Sequence, residues 1–219
     1  MSEWWTYGPR DLLMFSADTY YRLFELYNRD MWPLQLVMLT LGGIVALLVW
    51  RGGKHATRVA FALLALGWLW VAWAYLWQRL ADIHLAGGHF AAAFVLQAVL
   101  LALAGLGSHA PAAPGSVLRR RVGLGVLLFA VAGLPLLAPL SGRGWPQAEV
   151  LAMAPDPMVL ATLGVLLAQT RAAWWLYPLP LAWCVVSGAT LWAMDAPDFA
   201  VLPLAATLVF GIAAVSARH

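Results

Sequence analysis

Seven stretches of the chain are apolar and contain no Asp, Glu, Lys or Arg. They cover residues 33–50, 59–78, 85–107, 122–140, 157–170, 172–194 and 199–216. A helix needs roughly 17 to 25 apolar residues to cross the hydrocarbon core of a bilayer. The pattern therefore predicts an all-α integral membrane protein with seven transmembrane helices.

The fifth stretch is the least regular. It covers only residues 157–170, and Pro155-Asp156-Pro157 stands at its start. Proline is tolerated in the first turn of a helix and disrupts it further in. The entry to this span is therefore predicted to be broken or re-entrant, and a re-entrant segment would leave six spans. For the same reason Pro178 and Pro180 are predicted to kink the sixth span.

Residues 1–31 form a segment of their own before the single polytopic domain, residues 32–219. Ser16 is typical of a helix N-cap. Aromatic and apolar side chains then recur at helical spacing between charged ones, at Tyr20, Leu23, Phe24 and Tyr27. This pattern predicts an amphipathic helix lying in the membrane interface.

Composition supports a membrane protein. The chain is 63% hydrophobic and 11% charged, against roughly 25% charged residues in soluble domains. Cys184 is the only cysteine, which excludes a disulfide-stabilised extracellular scaffold. The net charge of +3 is too small to indicate nucleic-acid binding, so we expect the lipid bilayer as the main partner.

Basic residues predict the orientation, because they concentrate on the cytoplasmic side of membrane proteins. With seven spans and the N-terminus outside, eight basic residues are cytoplasmic and five are not. All ten acidic residues then lie on the outer side. We therefore expect Met1 to be extracytoplasmic and His219 to be cytoplasmic.

Candidate chemistry concentrates at this outer side. The sequence predicts an acidic, histidine-containing vestibule formed by Glu25, Asp30, Asp82, His84, His89, Gln97, Asp156, Asp195 and Asp198. If residues 82–97 were one helix, Asp82, His89 and Gln97 would form a polar line towards the membrane centre. A histidine among carboxylates is expected to stay protonated to higher pH than an isolated one. The alternative is that these polar side chains meet water or bond a neighbouring helix.

Two further patterns are weaker. Trp70, Trp73 and Trp77 share a face of the second span, either as a lipid-facing stripe or as the wall of an apolar pocket. The methionines after Met1 all fall in the outer half of the predicted topology, at Met14, Met31, Met38, Met153, Met158 and Met194. Thioether and imidazole ligands suit Cu(I), so copper binding is a minority hypothesis.

The stretch FELYNRDMWPLQ at residues 24–35 resembles a bacterial family of small multi-pass membrane proteins known only as a domain of unknown function. In that family a Tyr-Asn pair precedes a Trp-Pro-x-Gln entry to the first span, and residues 155–164 and the last two spans also look similar. The family pattern has Pro-Cys-Pro where this chain has Pro155-Asp156-Pro157. The resemblance implies a bacterial inner-membrane location, but it does not suggest any particular activity.

Three functions stay open. The leading hypothesis is a transporter or channel for a small solute or cation, because the outer mouth is acidic. The alternative is a non-catalytic structural or assembly subunit of a larger membrane complex, or a homo-oligomer. The third is a copper-binding membrane protein. Common soluble-enzyme motifs such as a phosphate-binding loop or H-E-x-x-H are missing from the sequence, so we expect no catalytic residues and no resident cofactor.

Overall fold

The computed structural model describes residues 16–107, 116–169 and 174–216, and within them it is helical, without a strand. The helices are α1 (Ala17–Asp30), α2 (Leu34–Arg51), α3 (Lys54–Trp70), α4 (Gly87–Leu106), α5 (Val117–Leu128), α6 (Leu134–Leu140), α7 (Pro155–Ala168), α8 (Pro178–Ala193) and α9 (Val201–Ser216). A π-helical segment, Val71–Trp77, continues α3, and another, Phe129–Gly133, joins α5 to α6. Single 3₁₀ turns lie at Leu80–Asp82, Trp145–Gln147 and Trp174–Leu176.

Five helical segments of the described chain are long and apolar enough to cross a membrane. They are Leu34–Arg51, Lys54–Asp82, Gly87–Leu106, Val117–Leu140 and Trp174–Ala193. Pro155–Ala168 and Val201–Val215 are apolar but shorter. The all-helical prediction is confirmed for the described residues, and every predicted stretch coincides with helix over most of its length. Seven crossings stay a prediction, because five segments have the length and composition to span a membrane.

Helix α7 lies at the centre of the molecule. All 14 of its residues are buried, because α3, α5, α8 and α9 pack around it. At 1.5 Å per residue it is about 21 Å long, shorter than the roughly 30 Å hydrocarbon core. Trp68 of α3 donates a 2.8 Å hydrogen bond to Thr162 of α7, which satisfies two buried polar groups inside the bundle.

Helix α1 covers one end of the bundle. Ser16 caps it as predicted, since its hydroxyl accepts a hydrogen bond from the Thr19 N–H. Its aromatic face is buried, however, and the Phe24 ring stacks on Tyr75 at 4.8 Å. The Asn28 amide also donates to the carbonyls of Pro146 and Ala148. The face that the sequence analysis assigned to the membrane interface therefore packs on protein. Residues 1–15 of that predicted segment lie outside the described residues.

The kink predicted in the sixth span is wrong. Pro178 is the first residue of α8 and Pro180 the third. At these positions the missing N–H groups have no partner within the helix anyway. The two prolines therefore start the helix instead of bending it.

Candidate functional site

Asp156 is a buried acid in the first turn of α7. Its side chain is 2% exposed and accepts two hydrogen bonds from α8. The Trp183 Nε1–H donates to Oδ1 at 2.7 Å, and the Ser187 hydroxyl donates to Oδ2 at 2.7 Å. The N-terminus of a helix also favours a negative charge. The carboxylate is thus held in one orientation at the N-terminal end of the central helix.

Glu149 is a second buried acid, in the segment that connects α6 to α7. It is 7% exposed, and its Oε2 accepts no hydrogen bond from the residues that the structure describes. Burial raises the pKa of the Glu149 carboxyl well above its usual range, and the charge of Asp156 raises it further. Arg143 lowers this pKa without outweighing the burial. Glu149 therefore keeps its proton at a pH where a free glutamate has lost it.

An ion pair between Arg143 and Asp198 lies in the same region as the two buried acids. Arg143 Nη2 lies 2.6 Å from Asp198 Oδ2, and both side chains are largely buried. The guanidinium also lies 4.1 Å from the centre of the Tyr21 ring. The pair therefore connects three parts of the chain: α1, the segment after α6 and the turn between α8 and α9.

Two cavities border this region. A cavity of about 20 Å³ lies among Tyr20, Tyr75, His84, Trp183 and Ser187, and it is large enough for one water molecule. A wider polar cleft of about 680 Å³ is lined by Asp18, Thr19, Tyr21, Arg22, Arg143 and Gln147. Trp183 and Ser187 border the small cavity and also donate hydrogen bonds to Asp156. A water molecule in the cavity would therefore lie next to the two side chains that hold the carboxylate.

His84 borders the small cavity, but its electrostatics differ from the expectation. Its Nδ1 accepts a 3.0 Å hydrogen bond from the Ala86 N–H. Partial burial lowers the pKa of His84, although the backbone raises it slightly. The sequence analysis expects a histidine here to be protonated to higher pH. Desolvation of the imidazolium outweighs the backbone hydrogen bond and lowers the pKa of His84, so this side chain is neutral over more of the pH range than a free histidine.

Most of the other predicted vestibule residues lie apart from the buried acids. Glu25 is paired with Arg22 at 2.8 Å and with Arg29 at 2.7 Å. Asp30 is 64% exposed and lies 3.6 Å from Arg79. Three further members are exposed at the surface, namely Asp82, His89 and Asp195. The structure thus brings Asp156, Asp198 and His84 to one region and leaves Glu25, Asp30 and these three surface residues apart from them.

The predicted polar line from Asp82 to Gln97 does not form. Asp82 ends a separate 3₁₀ turn, and α4 begins only at Gly87, so the two segments do not share one helical face. Gln97 is fully buried, and its amide donates a 3.0 Å hydrogen bond to the carbonyl of Leu176. Its contact is with the segment that precedes α8.

The three tryptophans of the second predicted span do not line one enclosed pocket. Trp70 is partly buried and donates to the Tyr27 hydroxyl at 3.0 Å. Trp73 is 56% exposed and Trp77 is 58% exposed. The helix is π-helical over residues 71–77. Trp73 and Trp77 are exposed on the surface of the bundle, and a lipid-facing stripe stays a prediction.

The methionines are dispersed through the structure. Met153 and Met158 are buried in the core, whereas three others are partly buried, namely Met31, Met38 and Met194. Met14 lies outside the described residues. Within residues 16–107, 116–169 and 174–216, no group of three or more His, Cys, Asp or Glu side chains could hold a metal ion.

Sequence reasoning missed several members of the buried region: Arg143, Glu149, Trp183, Ser187 and Tyr75. One signal for Glu149 was available. It is an isolated acid within the otherwise apolar run of residues 148–154, and an acid in such surroundings is expensive and often functional. The partners of Asp156 could not be read in this way, because they come from α8, about 30 residues further along the chain.

Comparison with known proteins identifies a family and no activity. The model of a family of unknown function, DUF6064, matches residues 17–218. No curated protein and no solved structure matches the chain. The resemblance seen in the sequence to a family defined only as a domain of unknown function is confirmed.

Proposed function

Because the chain belongs to the family of unknown function DUF6064, whose description names no activity, we propose a function from the site alone. The protein transports a small inorganic cation across a membrane, and Glu149 and Asp156 bind that cation. One observation carries the proposal. Glu149 Oε2 is buried without a hydrogen-bond partner among the described residues, and the Asp156 carboxylate is near enough to shift its pKa.

The chemistry of the site suits a hard cation. Carboxylate and hydroxyl oxygens are the ligands that such ions prefer, and Glu149, Asp156 and Ser187 supply them. Burying two carboxylates without a cation is costly, and a proton on Glu149 relieves that cost. A cation entering the site therefore competes with this proton, and its binding releases it.

The proposed topology has seven crossings, in which helices α2 to α9 alternate in direction and α5 and α6 count as one crossing. This topology places the acids near one face of the membrane. At one end the Asn28 amide bonds the carbonyl of Ala148. At the opposite end Thr57 bonds Gln169 at 3.4 Å. We place the first end outside the bacterial cytoplasmic membrane, with the N-terminus outside and the C-terminus inside, because more basic residues fall at the second end in this topology, eight against five.

A second candidate is a structural or assembly subunit of a membrane complex. The covering of α7 on all sides favours it, since every residue of that helix is buried. A cation could pass only if α7 or its neighbours moved. In a structural subunit, the buried acids would be protonated, and their role would be to pack the helices together. Copper binding by the methionines stays a prediction.

Flux measurements in proteoliposomes test the proposal. Sodium, rubidium as a substitute for potassium, and proton movement are each followed after reconstitution of the full chain. We expect flux of at least one of these ions through the wild type and its loss in Asp156→Asn, which keeps the shape of the side chain and removes the charge. Glu25→Gln is the matched control, because Glu25 pairs with Arg22 and Arg29 at the surface.

The result separates the two candidates. Flux that Asp156→Asn abolishes and Glu25→Gln leaves intact supports transport through the buried acids. Equal flux in the wild type and Asp156→Asn contradicts the site. No flux of any ion from a folded wild type, together with a stoichiometric partner purified from native membranes, favours the structural subunit.

A further inference from the structure

The structure has an apolar groove whose lining residues include none of the acids. It lies between α3 and α4 and has a volume of about 590 Å³. Its floor consists of small side chains, which are Ala62, Ala65, Ala98, Ala102 and Gly105. Such residues leave space between two helices where larger ones would fill it.

A single charged residue closes one end of this groove. Arg58 is in the second turn of α3 and lines the groove together with Leu106, the last residue of α4. Its Nε is buried and has no hydrogen-bond partner among the described residues. Lys54 and His55 are exposed in the first turn of the same helix. The end of the groove is therefore positively charged and the rest of it is apolar.

The length of the groove matches one leaflet of a bilayer. Along α3 it extends from Arg58 to Leu69, which is about 16 Å at 1.5 Å per residue. Half of a hydrocarbon core of roughly 30 Å is about 15 Å. A partner's transmembrane helix would need a groove of about twice this length. An acyl chain from one leaflet needs only a groove of this length.

We propose that this groove binds one anionic phospholipid, with its phosphate on Arg58 and an acyl chain along the small residues of α3 and α4. Basic pockets between transmembrane helices favour anionic headgroups. The guanidinium supplies several donors in a plane for phosphate oxygens. This site is separate from the buried acids and does not depend on the transport proposal.

Native mass spectrometry of the full chain in detergent tests the proposal, with phosphatidylglycerol and phosphatidylcholine as probes. We expect one phosphatidylglycerol to be retained in preference to phosphatidylcholine. Arg58→Gln should weaken its retention about fivefold, since one basic residue near a membrane surface contributes about that factor. Lys54→Gln is the matched control, because it removes a nearby positive charge that does not line the groove.

A second variant tests the apolar part of the site. Ala102→Phe should fill the groove and displace the lipid while leaving Arg58 in place. Loss of the preference in both Arg58→Gln and Ala102→Phe supports the proposal. Equal retention of the two lipids by the wild type, or an equal effect of Lys54→Gln and Arg58→Gln, overturns it. A dimer that only Ala102→Phe dissociates would also overturn it and assign the groove to a second copy of the chain.

Discussion

The backbones of Gly123 and Gly164 touch where α5 crosses α7. A methyl group on Gly123 would lie 2.5 Å from the carbonyl oxygen of Gly164, and one on Gly164 would lie 2.6 Å from that of Gly123. Backbone atoms cannot rotate away as a flexible side chain can. The crossing therefore requires glycine on both helices, and it holds the central helix that carries Asp156.

Gly164→Ala is expected to destabilise the protein by about 1–3 kcal/mol, the usual cost of overpacking a well-packed interior. Gly125→Ala is the matched control on α5, because a methyl group there meets nothing within 4 Å. It should leave stability unchanged or raise it slightly, since alanine favours helix over glycine. Midpoints of thermal unfolding in detergent measure both. Equal midpoints for the two variants would contradict the close crossing.

The stability of the protein should fall as pH rises above the usual range of a glutamate. The folded protein holds the proton of Glu149 more tightly than the unfolded chain, because burial raises the pKa of this carboxyl. The stability that this group contributes is complete below its unfolded pKa and is lost as pH rises through its folded pKa. Glu149→Gln should therefore flatten the dependence of the unfolding midpoint on pH.

Glu25→Gln is the control for this series and acts in the opposite direction. Desolvation raises the pKa of Glu25, but hydrogen bonds from Arg22 and Gln147 and the charges of Arg22 and Arg29 lower it overall. Its contribution is present above its unfolded pKa and is lost as pH falls. A wild-type and a Glu149→Gln profile that coincide across neutral pH would contradict the buried protonated carboxyl.

The proposed orientation predicts which loops react from outside the cell. A cysteine at Asp195, in the exposed turn between α8 and α9, should react with a membrane-impermeant maleimide in intact cells. A cysteine at Lys54, at the start of α3, should react only after the membrane is opened. Cys184 is fully buried and serves as the unreactive background. The reverse pattern, or labelling of both sites in intact cells, would contradict the seven-span topology.

Much of the fold could be predicted from the sequence, because apolar length and charge placement are local properties. The stretch 33–50 coincides with α2 to within one residue at each end. The central position of α7 could not be predicted in this way. A short apolar helix looks the same in sequence whether lipid or protein surrounds it, and only packing from four other helices buries all of α7.

The candidate site was predictable only in part. Asp156 could be identified, because an acid between two prolines interrupts an apolar segment. The vestibule role predicted for His89 does not fit the structure. The helix is interrupted between Asp82 and Gly87, and His89 is exposed at the surface. A helical-face argument fails when the helix is interrupted, and the Gly87-Gly88 pair at the start of α4 is a signal for such an interruption. Glu149 left one sequence signal, an acid within an apolar run, but its burial results from the packing of a loop, which the sequence alone does not show.

The central claim is that the buried acids bind a cation in competition with a proton. Labelling by a hydrophobic carbodiimide, which reacts with protonated carboxyls in apolar surroundings, tests it most directly when the labelled residue is located by peptide mass spectrometry. At a pH just above the usual titration range of a glutamate and at constant ionic strength, we expect Glu149 to be labelled in choline chloride and protected in sodium or potassium chloride. Asp156→Asn should remove this protection, because it removes half of the negative charge of the site. Equal labelling of Glu149 in all three salts, in wild type and variant alike, would contradict the account.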